Sequence, residues 1–338
     1  EIMKSFKILF LFFYLFSLNK MPVSTEAVWA RSYVIIEQTR GEVLEGKDIY
    51  LSRSVASISK IMTAIVAIES ESLFQVVKVG DEIDEVVGSS LYLEKGTEIR
   101  MIDLVYGLLL RSGNDAAMII AKNVGGEVEK FVDRMNQKGK EIGMNHTTFH
   151  NPHGLDINEE GNISCAYDMA LLMRYCLDNE LFQEITGTKR YHCPNVGIWE
   201  NKHKLLQKYE YCIGGKTGFT SKAKRTLVSA AKKDGLQLIC VTLDCGGDFS
   251  FHRQLFESYF QRFEGLPLLE KGNNYINDYV FYTRKSYTVF IPKEKAHHLL
   301  IIYALDVDRK TITFRIVYQD ATEDVYGPFS IESFQKIK

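Results

Sequence analysis

The sequence has no strong excess of charge of either sign. Its 338 residues include 41 lysines and arginines against 43 aspartates and glutamates, which gives a formal net charge of −2 at pH 7. A chain that binds nucleic acid usually carries a basic surface that neutralises phosphates, so we expect no nucleic-acid partner. Proline is also scarce, at 6 residues, and 46% of the residues are hydrophobic. This composition is typical of a globular protein and excludes a fibrous or disordered one.

No apolar run reaches the roughly 20 residues that a membrane-spanning helix needs. The most apolar run, Ile8–Leu18, follows two lysines and precedes small residues at Ala27 and Ala30. This order is typical of a secretory signal peptide. We therefore assign residues 1–30 to a signal peptide and expect an extracytoplasmic location, the alternative being a buried core helix.

A disulfide framework is also missing. Exported proteins often pair their cysteines, but these show no compact spacing and no Cys-x-x-Cys, and a chain of this length does not need covalent staples. We predict that Cys240 and Cys245, which flank an apolar run, are small core residues. The six cysteines are Cys165, Cys176, Cys193, Cys212, Cys240 and Cys245.

The spacing of the apolar residues predicts a mixed α/β body followed by a β-rich tail. After Gly265 the pattern changes to short alternating runs, which indicate strands. We predict a larger domain over 31–265 and a small β-sandwich-like domain over 266–338. The predicted elements of the larger domain are a hairpin over 33–48, helices over 56–70, 101–110, 116–125 and 166–179, and a strand–turn–strand around 233–235.

A serine and a lysine lie in the first turn of the first predicted helix. Ser57 and Lys60 are three residues apart, so their side chains share one face of the helix. A serine hydroxyl is a weak nucleophile until a base takes its proton, and an amine at this distance can do so. The pattern Ser-x-x-Lys is weak evidence by itself, because it occurs at Ser17, Ser57, Ser221, Ser229 and Ser333.

Two further motifs distinguish Ser57 from the other four serines. Only Ser57 begins a strongly amphipathic helix and is followed by Ser-Gly-Asn at 112–114 and Lys-Thr-Gly at 216–218. The three motifs in this order are those of active-site-serine penicillin-interacting enzymes.

The segments around these motifs resemble the low-molecular-mass penicillin-binding proteins of the serine D-alanyl-D-alanine carboxypeptidase family. The resemblance covers residues 31–265 and implies an α/β (α+β) penicillin-binding, β-lactamase-like transpeptidase fold, in which helices flank an antiparallel sheet. It also implies removal of the terminal D-Ala from peptidoglycan pentapeptide stems through an acyl-enzyme, inhibition by β-lactams, and no cofactor. The segments that carry it are Val55–Thr63, Ser112–Ala117, Asn151–Asp156, Ala166–Ala170 and Gly215–Thr220.

The resemblance implies a catalytic role for several residues. Ser57 would be the acylated nucleophile, Lys60 its general base, and Ser112 the relay of a proton to the leaving group. The backbone N–H groups of Ser57 and Phe219 would form the oxyanion hole.

The resemblance likewise implies the substrate-binding residues. Asn114 would hold a peptide amide of the substrate, Lys216 would add positive charge, and the Thr217 hydroxyl would bind the terminal carboxylate. Gly218 would leave room for substrate along the strand. Arg253 occupies a position where the family often has a carboxylate-binding arginine, although the local spacing is looser.

Other polar residues near the motifs have simpler explanations. Asp115 is predicted to cap a helix rather than to act in catalysis. His146, His150 and His153 have a spacing that suggests zinc, but a proline and a glycine interrupt the helix that would align the first two. We therefore expect no metal. His203 stands where the family usually carries a second asparagine, a difference that can alter substrate fit.

Two other function classes are less well supported. A class A β-lactamase deacylates with the glutamate of a Glu-x-x-Leu-Asn segment, and none lies between the second and third motifs. A wall-binding scaffold on an inactive hydrolase fold would need a broken motif set, and no catalytic position is missing.

The mode of attachment stays open at this point. The end of the sequence, 329–338, is too short for a convincing amphipathic anchor. The alternatives are a released protein, an uncleaved signal segment, a truncated chain and peripheral membrane contact. The sequence also does not decide between two reactions of the acyl-enzyme, hydrolysis by water and cross-linking to a second peptide.

The missing glutamate leads to a first prediction. Without that deacylating base the penicilloyl-enzyme should persist, so we expect benzylpenicillin to inhibit the enzyme and to be turned over slowly. Intact mass recorded over time after mixing measures this directly, and rapid penicillin hydrolysis without a lasting adduct would move the assignment to the β-lactamases.

Overall fold

The structure is a computed structural model that describes residues 29–156 and 161–336. The predicted signal peptide lies outside the described residues except for Trp29 and Ala30. The described chain forms two compact units, the larger made of 29–232 and 237–257 and the smaller of 233–236 and 258–336. No helix in the described ranges has both the length and the apolar character to span a membrane.

The larger unit combines helices with an antiparallel sheet. Its helices are α1 (Lys60–Ile68), α2 (Met101–Arg111), α3 (Asn114–Gly125), α4 (Val128–Ile142), α5 (Ala166–Cys176), α6 (Glu180–Gly187), α7 (Lys204–Lys208) and α8 (Asp248–Arg262), which ends in the smaller unit. Its strands are β1 (Ala30–Glu37), β2 (Val43–Lys47), β3 (Arg53–Ser54), β4 (Val76–Lys78), β5 (Glu98–Arg100), β6 (Ile163–Ser164), β7 (Arg190–Cys193), β8 (Gly197–Glu200), β9 (Cys212–Thr220), β10 (Lys224–Lys233) and β11 (Leu236–Cys245).

Five of these strands form the main sheet, in the order β2-β1-β11-β10-β9. The predicted hairpin is confirmed as the antiparallel pair β1–β2. The predicted strand–turn–strand is confirmed as β10 and β11, joined by a two-residue turn of the kind that links antiparallel strands. The strand with the Lys-Thr-Gly motif, β9, lies at the edge of the sheet. Thr186 Oγ1 of α6 accepts a hydrogen bond from Gly215 N at 3.0 Å, so another peptide would pair with the part of this edge that follows Gly215.

The two faces of the sheet pack against different helices. Val34, Val228 and Val241 join one large core together with the apolar residues of α1 to α5. On the other face α8 packs against β11, where His252 Nε2 lies 3.0 Å from Thr242 Oγ1 and both side chains are buried. The predicted arrangement of an antiparallel sheet flanked by helices is therefore confirmed.

The helix with the serine–lysine pair is the centre of this core. All nine residues of α1 are buried, including Lys60 at its first position. The prediction that the α-helix begins at Ala56 is wrong, because residues 56–59 form a 3-10 turn and α1 starts only at Lys60. Ala56 has a φ of +52°, a left-handed conformation that is uncommon for a residue with a Cβ.

The predicted break between two helices is confirmed at α2 and α3. Ser112 ends α2 in the left-handed conformation, with a φ of +65°. The prediction that Asp115 caps the next helix is wrong, because Gly113 occupies the N-cap position and no side chain caps there. The Asp115 carboxylate instead accepts hydrogen bonds from Ser90 Oγ (2.6 Å) and Leu91 N (2.8 Å), and so fixes the loop before β5.

The smaller unit is built from β12 (Phe263–Leu269), β13 (Gly272–Ile276), β14 (Tyr279–Thr283), β15 (Tyr287–Pro292), β16 (Leu299–Asp306), β17 (Thr311–Tyr318), β18 (Glu323–Ser330) and β19 (Ser333–Lys336). Its core contains the buried residues Phe281, Ile312 and Ile316. The end of the described chain is strand rather than amphipathic helix, and Phe329 and Ile331 are buried in the same core.

The burial of α1 leads to a prediction about stability. Ile65 is fully buried, so Ile65→Ala leaves a cavity and should lower the free energy of unfolding by about 2–5 kcal/mol. Val76, which is 61% exposed, offers a control, because Val76→Ala should change it by no more than about 0.5 kcal/mol. Urea unfolding followed by circular dichroism measures both, and equal effects would contradict a core centred on α1.

Candidate active site

Ser57 and Lys60 face each other at the start of α1. Lys60 Nζ lies 2.9 Å from Ser57 Oγ, the distance of a strong hydrogen bond. Ser57 sits in the 3-10 turn, and the backbone N–H groups of a first helical turn have no partner within the helix. The turn therefore presents a hydroxyl, an amine and unpaired N–H groups on one small surface.

The amine of Lys60 is buried among oxygen acceptors. Besides Ser57 Oγ it contacts Asn114 Oδ1 at 2.7 Å and the His153 carbonyl oxygen. Burial, followed by the charge of Lys216, lowers the pKa of Lys60 well below its usual value. A neutral amine has two N–H donors for the two carbonyl oxygens and one lone pair, which is then available to Ser57 Oγ.

The loop at 151–155 supplies the acceptor from His153. Asn151 Oδ1 accepts a hydrogen bond from Gly154 N at 2.7 Å, and Thr63 Oγ1 donates to the Pro152 carbonyl at 2.6 Å. Gly154 has a φ of +83°, and a Cβ there would collide with the Ala56 carbonyl. The loop thus needs glycine at this position in order to lie against the serine turn.

A second serine–lysine pair lies opposite the first. Lys216 Nζ contacts Ser112 Oγ at 3.0 Å and the Thr217 carbonyl at 2.8 Å. Burial, followed by the charge of Lys202, lowers the pKa of Lys216 to about 7. Near neutral pH this amine therefore holds the Ser112 hydroxyl and can exist in either protonation state.

Gly218 allows β9 to approach the serine turn. A Cβ at Gly218 would lie 3.0 Å from Ser57 N, and it would also overlap Thr226 Oγ1. The Thr226 hydroxyl donates to the Val55 carbonyl at 2.9 Å, which ties β10 to the same turn. The structure therefore brings Ser57, Lys60, Ser112, Asn114, Lys216 and the end of β9 together, as the motifs predict.

Comparison with known proteins gives the family. A model of the D-alanyl-D-alanine carboxypeptidases, a peptidase family, matches residues 19–247. The chain belongs to this family. The predicted family and enzyme class, a serine-type peptidase and hydrolase, are confirmed.

Individual relatives of the carboxypeptidase support the same assignment. The D-alanyl-D-alanine carboxypeptidase DacF of Bacillus subtilis is 33% identical over 72% of this chain and 65% of its own length, so the chain spans slightly less than two thirds of that relative. The crystal structure of a D-alanyl-D-alanine carboxypeptidase from Mycobacterium tuberculosis is similar with a TM-score of 0.66 and 28% identity, over 72% of this chain and 96% of the other.

A further similarity extends over both units. The crystal structure of penicillin binding protein 5 from Haemophilus influenzae matches 94% of this chain and 98% of its own, with a TM-score of 0.73 and 24% identity. This likeness concerns the fold, and it confirms the predicted penicillin-binding fold together with its β-rich C-terminal part.

The structure gives the contacts of two predicted binding residues, Asn114 and Arg253. The Asn114 side chain is engaged at both ends, since Oδ1 accepts from Lys60 and Nδ2 donates to the Val87 carbonyl at 2.6 Å. Arg253 lies on α8 with its guanidinium 5.6 Å from the centre of the Tyr209 ring. No hydrogen bond joins Arg253 to the Lys-Thr-Gly strand within the described ranges.

His203 is buried beside β10, and its ring lies 5.6 Å from that of Phe249 on α8. Its Nε2 is 3.0 Å from Ser229 Oγ, and burial lowers the pKa of the ring to about 4, so it is neutral at pH 7. A Cβ on Gly215 would lie 2.7 Å from the same nitrogen. Since the side chain is buried, any effect of His203 on substrate fit has to pass through the backbone of β9.

In the part of the chain that the structure describes, the three histidines do not converge on one point. The metal-binding types that converge are His146, Cys165 and Asp168, not the three histidines. Cys165 Sγ accepts from Asp168 N at the start of α5, and Asp168 accepts from His146 N. Burial raises the pKa of Cys165 to about 12, which keeps the thiol protonated. We interpret these three residues as a hydrogen-bonded group that fixes the start of α5.

All six cysteines of the carboxypeptidase are buried and free. The expectation of unpaired cysteines is confirmed, and Cys240 and Cys245 are core residues as predicted.

The low proton affinity of Lys216 leads to a prediction about pH and stability. In the unfolded chain a lysine keeps its proton up to about pH 10.4, whereas folded Lys216 loses it near pH 7. Between these values the unfolded state binds more protons, so the free energy of unfolding should rise as pH rises from 7 to 10. Lys216→Met removes this contribution, and urea unfolding at several pH values should give a flatter dependence.

Lys208→Met, at an exposed lysine, is the control for the loss of one positive charge. If the free energy of unfolding rises with pH equally steeply in wild type and in Lys216→Met, the pKa of Lys216 is not lowered in the folded protein.

Proposed function

We propose that the enzyme releases the terminal D-Ala of peptidoglycan stem pentapeptides through an ester on Ser57. The observation that supports this most strongly is the contact of 2.9 Å between Ser57 Oγ and Lys60 Nζ, a buried amine whose pKa is lowered well below its usual value. A neutral amine at this distance can accept the hydroxyl proton as Oγ attacks.

Acylation follows from the arrangement of the two serine–lysine pairs. Ser57 Oγ attacks the carbonyl carbon of the penultimate D-Ala while Lys60 takes the proton. The N–H groups of Ser57 and Phe219 stabilise the oxyanion. Ser112, hydrogen-bonded to Lys216, receives this proton from Lys60 and passes its own to the nitrogen of the terminal D-Ala. The C–N bond breaks, the free amino acid leaves, and Lys60 is neutral again.

Deacylation uses water as the second nucleophile. Lys60, neutral again, takes a proton from a water molecule as the water oxygen attacks the ester carbonyl, and it then gives this proton to Ser57 Oγ as the ester C–O bond breaks. A β-lactam acylates Ser57 by the same first step, but its opened ring stays attached. The missing Glu-x-x-Leu-Asn segment supports slow release of that adduct.

Substrate would lie as an extra strand along the open edge of β9. Asn114 would hold a peptide amide, and the Thr217 hydroxyl would bind the terminal carboxylate. Gly218 keeps this edge free of side chain close to Ser57, and Phe219, 64% exposed, offers an apolar surface beside it.

An extracytoplasmic location is part of the proposal. It is supported by the signal-like pattern of the first 30 residues and by the peptidoglycan chemistry of the family. Peripheral contact with the outer membrane face is compatible with this location, and nothing in the described residues carries it.

The decisive experiment compares wild type with Ser57→Ala. Wild type should gain the mass of benzylpenicillin in an intact-mass measurement and should release D-Ala from diacetyl-Lys-D-Ala-D-Ala. Both should be lost in Ser57→Ala, because the nucleophilic oxygen is absent.

Ser229→Ala serves as the matched control, since Ser229 begins another Ser-x-x-Lys pattern but is fully buried on β10. It should still form the adduct. An adduct that survives in Ser57→Ala would assign the nucleophile elsewhere, and folded wild type with neither adduct nor D-Ala release would indicate an inactive scaffold.

A further inference from the structure

The face of the sheet that carries Thr217 also carries an arginine. Successive residues of a strand point to opposite faces, and Lys216 reaches Ser112 on the side of the helical core. Thr217 and Phe219 therefore point to the face covered by α8. On the neighbouring strand Arg225 pairs directly with Phe219, and Leu227 pairs with Thr217.

This pairing puts Arg225 close to the proposed carboxylate site. Directly paired residues in an antiparallel sheet share a face, and diagonal neighbours are about 7–8 Å apart. Arg225 is the diagonal neighbour of Thr217 and the direct neighbour of Phe219. A long side chain at this position can reach a group bound at the Thr217 hydroxyl.

The guanidinium of Arg225 is oriented by α8. Arg225 Nη2 donates to Asp248 Oδ1 at 2.7 Å, and the carboxylate of Asp248 is 2% exposed. The guanidinium also lies 5.6 Å from the centre of the Phe249 ring. The Arg225 side chain is nevertheless 47% exposed. Nη2 of the guanidinium is thus held by Asp248, while nearly half of the side-chain surface is open to solvent.

The other candidate, Arg253, contacts a residue that lies just before β9 in the chain. Its guanidinium is over Tyr209, whose carbonyl accepts from Cys212 N at the first residue of β9. Thr217 is the fifth residue after Cys212, which corresponds to about 17 Å along a strand.

We propose that Arg225, and not Arg253, is the cation that binds the terminal carboxylate of the substrate together with Thr217. Arginine presents several donors in a planar fork, so it can hold Asp248 with one nitrogen and a second carboxylate with the others. The ion pair with Asp248 fixes the fork before substrate arrives. This inference rests on the proposed carboxypeptidase function and assigns a specificity residue within it.

The test compares two substrates that differ only at the C-terminus. Diacetyl-Lys-D-Ala-D-Ala has a free carboxylate, and its C-terminal amide lacks the charge. Arg225→Gln should lower kcat/KM for the acid by about 10- to 100-fold, the effect of losing a charge-assisted hydrogen bond. For the amide it should change kcat/KM by less than about threefold.

Three further variants separate this role from a structural one. Arg225→Gln combined with Asp248→Asn removes both charges, so it avoids an unpaired buried carboxylate and should show the same selective loss. Lys224→Gln removes an adjacent exposed charge and should leave the acid-to-amide ratio unchanged. Arg253→Gln tests the competing arginine directly.

The outcomes are distinct. Selective loss of activity on the acid in both Arg225 variants supports the proposal. Equal losses on acid and amide, no loss at all, or a selective loss in Arg253→Gln would overturn it. If wild type itself neither releases D-Ala nor forms a penicilloyl adduct, the proposed function fails, and that result is separate from failure of the Arg225 assignment.

Discussion

The site depends on one buried amine. Lys60 begins a helix whose residues are all buried, and its Nζ joins three parts of the chain: the serine turn, Asn114 at the start of α3, and the carbonyl of His153. Because the amine is out of contact with water, its uncharged form is favoured. The helix at the centre of the hydrophobic core thus also lowers the proton affinity of the amine at its first position.

Several features of this site lower the stability of the folded protein. Lys60 and Lys216 are both buried amines with lowered pKa values, and the charge of Lys216 is one cause of the lowered pKa of Lys60. Ala56 and Ser112 adopt left-handed backbone conformations beside the two hydroxyls. Backbone strain of this kind persists only where the surrounding structure holds it. Here the apolar core around α1 and the polar loop at 151–155 do so.

The edge position of β9 connects the two halves of the site. The strand places Lys216 and Gly218 towards the serines and places Thr217 and Phe219 towards α8. A peptide that pairs with its open side would therefore meet the nucleophile on one face and the proposed carboxylate-binding groups on the other. Because the side chains of one strand point alternately to the two faces of the sheet, β9 can place bond cleavage on one face and recognition of the substrate's C-terminus on the other.

Much of this was predictable from the sequence, because it rests on local patterns. Apolar spacing identifies the β1–β2 hairpin, the paired helices α2 and α3, and the β-rich end, while the order of three short motifs identifies Ser57, Lys60, Ser112 and Lys216. The 3-10 turn before Lys60 and the contacts of Asp115 were not predictable, since they depend on the loops packed against them. The sequence gives no indication that the His153 carbonyl accepts a hydrogen bond from Lys60, because every residue has a backbone carbonyl.

The sequence by itself thus determined which residue types are available for chemistry, since these occur in motifs that can be read along the chain. Only the tertiary structure decided which of two arginines lies beside Thr217. The resemblance in sequence pointed to Arg253, which α8 places over Tyr209, whereas strand register makes Arg225 the diagonal neighbour of Thr217. Strand register and helix packing are set by contacts between distant residues, and these contacts exist only in the folded chain.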